Sequence, residues 1–318
     1  MQTPYRPSGI YSAQWIPSDS AGRLDRASLA AHIAFERRAG VSGILGLGST
    51  GEFPHFSPDE RKGVLAAVVE CAGPLPVIAN ITDIRPRAAI ELGRFAKSLG
   101  LPAVALMPPI FFPMSQDDVL AYFLHVAEAV DLPVMLYNFP ELCGKRIDLA
   151  TIAAFADRAP MCAIKQSGGE FAYHRELIAL GREKNYVVMS GADLRLTEVF
   201  GLGAAGCTGG LVNIVPELMV EIYRGCGGSG APRATEPGAE LPAHLVSAAR
   251  MVELGKVIDQ LAFPPNVAAG LAARGFAPGV AKSILSSKSQ GLSVKIESEL
   301  RALFVQWGLA FGPVAVAA

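Results

Sequence analysis

Eight short, apolar, β-rich runs recur along the chain, each followed by a longer amphipathic stretch. They are Ile10–Ile16, Gly43–Leu47, Val77–Asn80, Ala103–Met107, Val134–Tyr137, Cys162–Lys165, Val187–Ser190 and Gly206–Leu211. Their starts lie roughly 20 to 33 residues apart, the length of one strand–helix unit. Most are apolar throughout rather than alternating, as in strands buried on both faces of a parallel sheet. Eight units in about 220 residues predict an α/β fold, a (β/α)8 TIM barrel. A doubly wound open sheet is the other topology that the pattern permits.

The helices between the runs carry their own punctuation. Ser57-Pro58-Asp59-Glu60 has a capping Ser, a Pro at the first helical position and Glu60 placed for a capping box. Ser115-Gln116-Asp117-Asp118 is a second Ser cap with acids in the first turn. Gly40-Val41-Ser42, Gly100-Leu101-Pro102 and Asp131-Leu132-Pro133 end helices and lead into strands. After the eighth run a helix is expected around Glu217–Arg224. Residues 1–224 then form the barrel domain, and residues 225–243, rich in Gly, Ser and Pro, a flexible connection. Residues 244–318 form a C-terminal helical extension, with helices expected over Leu245–Leu261, Asn266–Ala273, Gly279–Leu285 and Val294–Trp307. The tail from Gly312 is expected to be loose.

Composition narrows the partners. The 28 Lys and Arg balance 29 Asp and Glu, a net charge of −1, which offers nothing to nucleic acid or an anionic membrane surface. The most apolar stretch, Leu101–Met114, is broken by four prolines, so no membrane helix is expected. Met1–Gly9 has no apolar signal region. The five Cys have no CxxC spacing, which fits reduced thiols in a cytoplasmic protein. The five His are scattered, with no HxH or HExxH pattern, so no metal is expected.

In a barrel of this kind chemistry sits where the strands end. Lys165 closes an apolar run, so it must either reach out to water or sit desolvated. Desolvation disfavours an ammonium, and a neutral amine attacks ketones. Tyr137 ends the neighbouring strand and could carry protons at the same mouth. Gly48-Ser49-Thr50-Gly51 offers two hydroxyls and free N–H groups in a tight turn, a seat for a carboxylate. Gly46, Gly48 and Gly51 also match the dinucleotide spacing GxGxxG. The next helix, however, starts only after Ser57, and the following strand ends in Asn80 rather than an acid, so no nicotinamide cofactor is expected.

Three stretches occur in order and at characteristic spacing: Gly48-Ser49-Thr50-Gly51-Glu52, Tyr137-Asn138-Phe139-Pro140 and Ile164-Lys165-Gln166-Ser167. Together they resemble the dihydrodipicolinate synthase / N-acetylneuraminate lyase family of class I, Schiff-base-forming pyruvate aldolases. The resemblance covers roughly residues 8–225 well and the helical tail loosely. It implies a homotetramer or homodimer with no cofactor. Lys165 would form an imine with pyruvate or another 2-oxo acid, Tyr137 would shuttle protons, and Ser49 and Thr50 would hold the carboxylate. Asn80, Gly191, Asp193 and Thr208 would face the variable end of the substrate.

The chain departs from the dihydrodipicolinate synthases in two places. The loop after strand four reads Pro109-Ile110-Phe111-Phe112-Pro113 where they carry a Tyr, and Leu142 stands where they carry an Arg. It departs from the sialic acid lyases at Leu194 and Gly210, where they carry Glu and Ser. It looks most like 4-hydroxy-2-oxoglutarate and 2-keto-3-deoxy sugar acid aldolases. The alternatives are a dihydrodipicolinate synthase joining pyruvate to aspartate semialdehyde, a dehydratase using the same imine, and a non-catalytic 2-oxo acid binder.

Overall fold

A computed structural model describes residues 5–228 and 241–312. Eight parallel strands close into a barrel in sequence order: β1 (Gly9–Ala13), β2 (Gly43–Gly46), β3 (Val77–Asn80), β4 (Ala103–Leu106), β5 (Val134–Asn138), β6 (Met161–Gln166), β7 (Val187–Ser190) and β8 (Gly206–Gly209). Closure comes from pairing of β1 with β8. The barrel expectation is met, and the open-sheet alternative is not.

Two apolar cores follow from the alternation of side chains along each strand. Tyr11, Ala13, Leu45, Ile78, Ala105, Met135, Ala163 and Met189 fill the barrel interior. Ile10, Ile44, Val104, Leu136 and Ile164 point outward against the helices. This is why the strands read as continuous apolar runs rather than alternating ones.

The local punctuation behaves as its chemistry dictates. Ser57 accepts from the Glu60 N–H and Glu60 accepts from the Ser57 N–H, closing the capping box of helix Pro58–Ala72. Ser115 caps helix Gln116–Val130. Gly40 ends helix Arg26–Ala39 in the left-handed region, and Asp131 does the same without being Gly. Helix Pro216–Gly225 follows β8 as expected. Among the described residues no helix is long and apolar enough to cross a membrane.

The extension carries helices Ala243–Ile258, Pro265–Ala273 and Ser287–Gln306. The helix expected over Gly279–Leu285 is absent, because tertiary hydrogen bonds claim its backbone. Trp15 Nε1 donates to the Pro278 carbonyl at 2.8 Å, and the Val280 N–H donates to Ser18 Oγ at 3.1 Å. Gly279 packs so tightly on the Ser18 backbone that no Cβ would fit. Most of the expected connection 225–243 (residues 229–240) and of the loose tail from Gly312 (residues 313–318) lies outside the described residues.

A buried polar cluster joins β1 to helix Arg26–Ala39. Gln14 Nε2 donates to His32 Nδ1 at 2.9 Å, and His32 Nε2 donates to the Asn213 carbonyl at 2.8 Å, which makes His32 a neutral ring. Ser12 Oγ donates to Glu36 Oε1 at 2.6 Å. Burial pushes the Glu36 carboxyl from 4.5 up to about 8, and His32 from 6.5 down to about 4. An unfolded Glu36 gives up its proton near 4.5, so this residue's contribution to stability fades as pH rises from there towards 8. His32 acts in the opposite sense, its contribution fading as pH falls from 6.5 towards 4. Glu36→Gln should therefore flatten the decline of melting temperature between about pH 4.5 and 8, leaving the His32 contribution in place. An unchanged slope across that window would show Glu36 ionised in place.

Candidate active site

Strand register decides the centre of the site. Tyr137 and Lys165 are direct partners across β5 and β6, and so are the next residues, Asn138 and Gln166. One pair points into the barrel mouth and the other away from it. Asn138 Nδ2 donates to Gln166 Oε1 at 2.7 Å and Asn138 Oδ1 accepts from the Ile147 N–H at 3.0 Å. This outer pair ties the strand ends together and holds the inner pair side by side. Lys165 Nζ donates to the Tyr137 phenol oxygen at 2.9 Å and lies 4.1 Å from the centre of its ring. Lys165 is 4 % exposed and Tyr137 1 %.

The phenol continues to a second strand end. Tyr137 lies 3.3 Å from Ser49 Oγ, so a proton path runs from the amine through the phenol to a hydroxyl. Ser49 and Thr50 sit in a turn closed by the Gly51 N–H on the Gly48 carbonyl at 3.1 Å and the Glu52 N–H on the Ser49 carbonyl at 3.0 Å. Leu47 and Glu52, at the two ends of the turn, both take left-handed backbone angles, φ 59° and 56°.

These groups open into a cavity of about 520 Å³. Thr50, Tyr137, Lys165, Gly191, Asp193 and Thr208 all line it, so six of the eight residues expected at the site meet around one space. Ser49 reaches them through its contact with Tyr137. Asn80 does not join them. Its amide donates to the Leu47 carbonyl at 2.7 Å, and its oxygen accepts from the Thr82 hydroxyl at 2.6 Å. The expectation that Asn80 faces the substrate is corrected: the side chain is consumed in pinning Leu47, where the turn begins.

Burial raises the Asp193 carboxyl above the usual carboxylate range, opposed by the Leu211 N–H at 2.8 Å, the Cys207 thiol and the Lys165 amine. A Cβ at Gly209 would collide with that carboxylate, which explains the bare strand end there. Thr208 Oγ1 is buried without a hydrogen-bond partner. Cys207 is buried and its thiol is pushed well up, which leaves it inert as a nucleophile.

Among the lining residues that sequence reasoning missed, four stand out. Ser167 and Phe139 lie inside the quoted motifs but were given no role. Phe263 and Asn266 come from the C-terminal extension and line the same cavity. Asn266 Oδ1, like Thr208 Oγ1, has no partner. Nothing local in the sequence flags either residue, because only the fold of the extension brings them over the barrel. Arg146, the cation nearest to Leu142 in sequence, turns away: it pairs with Glu170 at 2.6 Å and stacks over Tyr173 at 4.8 Å.

A closed barrel with a buried lysine against a tyrosine, beside a hydroxyl-bearing turn, defines a class of imine-forming lyases. The chain belongs to the dihydrodipicolinate synthetase family, which it matches over residues 6–236, and it is a lyase of that family. It is similar to the 4-hydroxy-tetrahydrodipicolinate synthase of Methanothrix thermoacetophila, 31 % identical over 67 % of this chain and 72 % of that one. It is also similar to YagE of Escherichia coli K12, whose name provisionally makes it a 2-dehydro-3-deoxy-D-gluconate aldolase. That match is 31 % identical over 64 % of this chain and 68 % of the relative. The crystal structure of YagE with pyruvate superposes with a TM-score of 0.82 at 26 % identity, covering 95 % of this chain and 99 % of YagE. The fold is shared with N-acetylneuraminate lyase from Fusobacterium nucleatum, TM-score 0.81 at 20 % identity over 93 % and 98 % of the two chains.

Proposed function

We propose that the protein is a class I aldolase that cleaves, or forms, a hydroxylated 2-oxo acid of the 2-keto-3-deoxy sugar acid or 4-hydroxy-2-oxoglutarate type, with pyruvate as the product or donor. The observation that carries this is the 2.9 Å contact between a buried Lys165 amine and the Tyr137 phenol, both lining one cavity at the ends of the strands. In this reading the substrate carboxylate sits on Ser49 and Thr50, and Lys165 Nζ attacks C2. The carbinolamine loses water, its hydroxyl leaving with a proton carried by Tyr137, to give an iminium. Tyr137 takes the proton of the C4 hydroxyl. The C3–C4 bond breaks, its electron pair moves to the iminium nitrogen as an enamine, and an aldehyde leaves. Protonation at C3 and addition of water return pyruvate and the free amine.

The tail of the substrate would meet Asp193, Thr208 and Gly191, with Asn266 above them. Two buried, unpartnered oxygens in that wall, Thr208 Oγ1 and Asn266 Oδ1, favour a tail that brings hydroxyl donors. Leu142 in place of a cation, with Arg146 engaged elsewhere, weighs against aspartate semialdehyde as partner. Five free thiols support a cytoplasmic setting. The exposed pair Phe111 and Phe112 on the loop after β4, 84 % and 62 % accessible, supports a homotetramer or homodimer.

The test is borohydride reduction with pyruvate, then peptide mass spectrometry, then a panel of hydroxylated 2-oxo acids assayed for pyruvate release. An adduct on Lys165 with aldehyde release is the expected result. An adduct with loss of water but no aldehyde would replace the aldolase with a dehydratase. No adduct with any 2-oxo acid would leave a binder.

A further inference from the structure

We infer that Lys282, from the C-terminal extension, is a positioning residue that sets the shape of the Ser49–Thr50 turn and hence the grip on the 2-oxo acid carboxylate. The inference rests on the reading of that turn as the carboxylate seat. The turn ends at Glu52, which holds a left-handed backbone angle that costs a residue with a Cβ and needs an external support. The support is an ion pair. Lys282 Nζ lies 3.1 Å from Glu52 Oε2, with the two side chains only 10 % and 5 % exposed. The same ammonium donates to the Ile16 carbonyl at 3.0 Å and lies 5.1 Å from the ring centre of Trp15 and 5.5 Å from that of Phe56.

The clamp has a fixed anchor. Lys282 sits on the segment whose backbone is stitched to Trp15 and Ser18 and which therefore cannot become a helix. Asn80 grips the turn where it begins, at Leu47, and Lys282 grips it where it ends, at Glu52. Neither Lys282 nor Glu52 lines the cavity of Lys165, so neither is a catalytic residue. Removing one partner strands a charge among aromatic rings, and a stranded carboxylate must turn towards water. Glu52 cannot do so without moving the N–H that closes the turn on Ser49.

The experiment measures the pyruvate concentration that half-saturates borohydride capture at Lys165, the capture rate at saturation, and amide exchange over residues 47–53. Lys282→Met should raise the half-saturating concentration ~10-fold or more and leave the saturated rate within ~3-fold, the signature of lost binding rather than lost chemistry. Exchange over 47–53 should accelerate. Lys282→Arg, which keeps the charge, should recover most of the loss. Glu52→Gln should weaken binding as Lys282→Met does, and the double variant should bind better than either single one, since it strands no charge. Where Lys282→Met does not fold, Glu52→Gln and Lys282→Arg carry the test. A lower melting temperature with unchanged half-saturation would overturn the inference and leave Lys282 a purely structural residue. A wild-type protein that captures no pyruvate would overturn the reading of function instead. Amide exchange would then still decide the clamp, with unchanged protection in Lys282→Met counting against it.

Discussion

Lys165→Ala should abolish pyruvate capture by borohydride and lower lyase turnover by ~10³-fold or more, the scale on which removal of a nucleophile acts. Among the described residues Lys165 is the sole lysine lining the cavity, so no second amine there stands ready to form the imine. Lys145 points to the Pro109 carbonyl at 2.7 Å and Lys282 to Glu52, each held away from the cavity by its own bonds. Alanine also removes the amine packed over the Tyr137 ring, so a loss of stability could mimic a loss of chemistry. Lys165→Arg separates the two. It keeps a long side chain over the ring and its guanidinium cannot take the place of the amine, so it should stay folded and stay inactive. The measurement is peptide mass spectrometry after reduction, alongside pyruvate release. Retained turnover, or an adduct on another lysine, would sink the imine mechanism at this position.

Tyr137→Phe comes next, with an expected fall in kcat of ~10² to 10⁴-fold, the range for a lost proton carrier. The substitution is clean. The ring stays beneath the Lys165 amine, and what disappears is the oxygen that bridges that amine to Ser49 at 2.9 and 3.3 Å. Binding of the carboxylate should change little, so KM should move far less than kcat. Ser49→Ala should show the reverse weighting, a larger change in KM and a smaller one in kcat. A Tyr137→Phe enzyme of nearly normal rate would take the phenol out of the scheme and hand proton transfer to Ser49 or to water.

The site was legible in the sequence to an uneven degree. Lys165 and Tyr137 could be read because each ends an apolar run, and in a parallel barrel the ends of neighbouring strands share one mouth. Ser49 and Thr50 were visible as hydroxyls in a glycine-bounded turn. Asn80 was misplaced for the same reason that the others could be placed at the mouth: it too ends a strand. Only the structure reveals that its amide is spent on Leu47 and Thr82. Phe263, Asn266 and Lys282 were invisible because more than 200 residues separate Lys282 from its partners Ile16 and Glu52.

The sequence by itself determined the eight units, their helix caps, and the types of residue that end each strand. Those features are set by near neighbours, through the pleat period, the capping hydrogen bonds and the left-handed turns of Gly40 and Asp131. The tertiary structure alone decided that Tyr137 and Lys165 are exact register partners. It also decided that Gly279–Leu285 stays non-helical against Trp15 and Ser18, and that a lysine of the extension closes on Glu52 beside Ser49 and Thr50. Each of these pairs groups far apart in the chain. Such contacts exist only after the barrel has closed and the cost of ordering the intervening residues has been met by burial of the two cores.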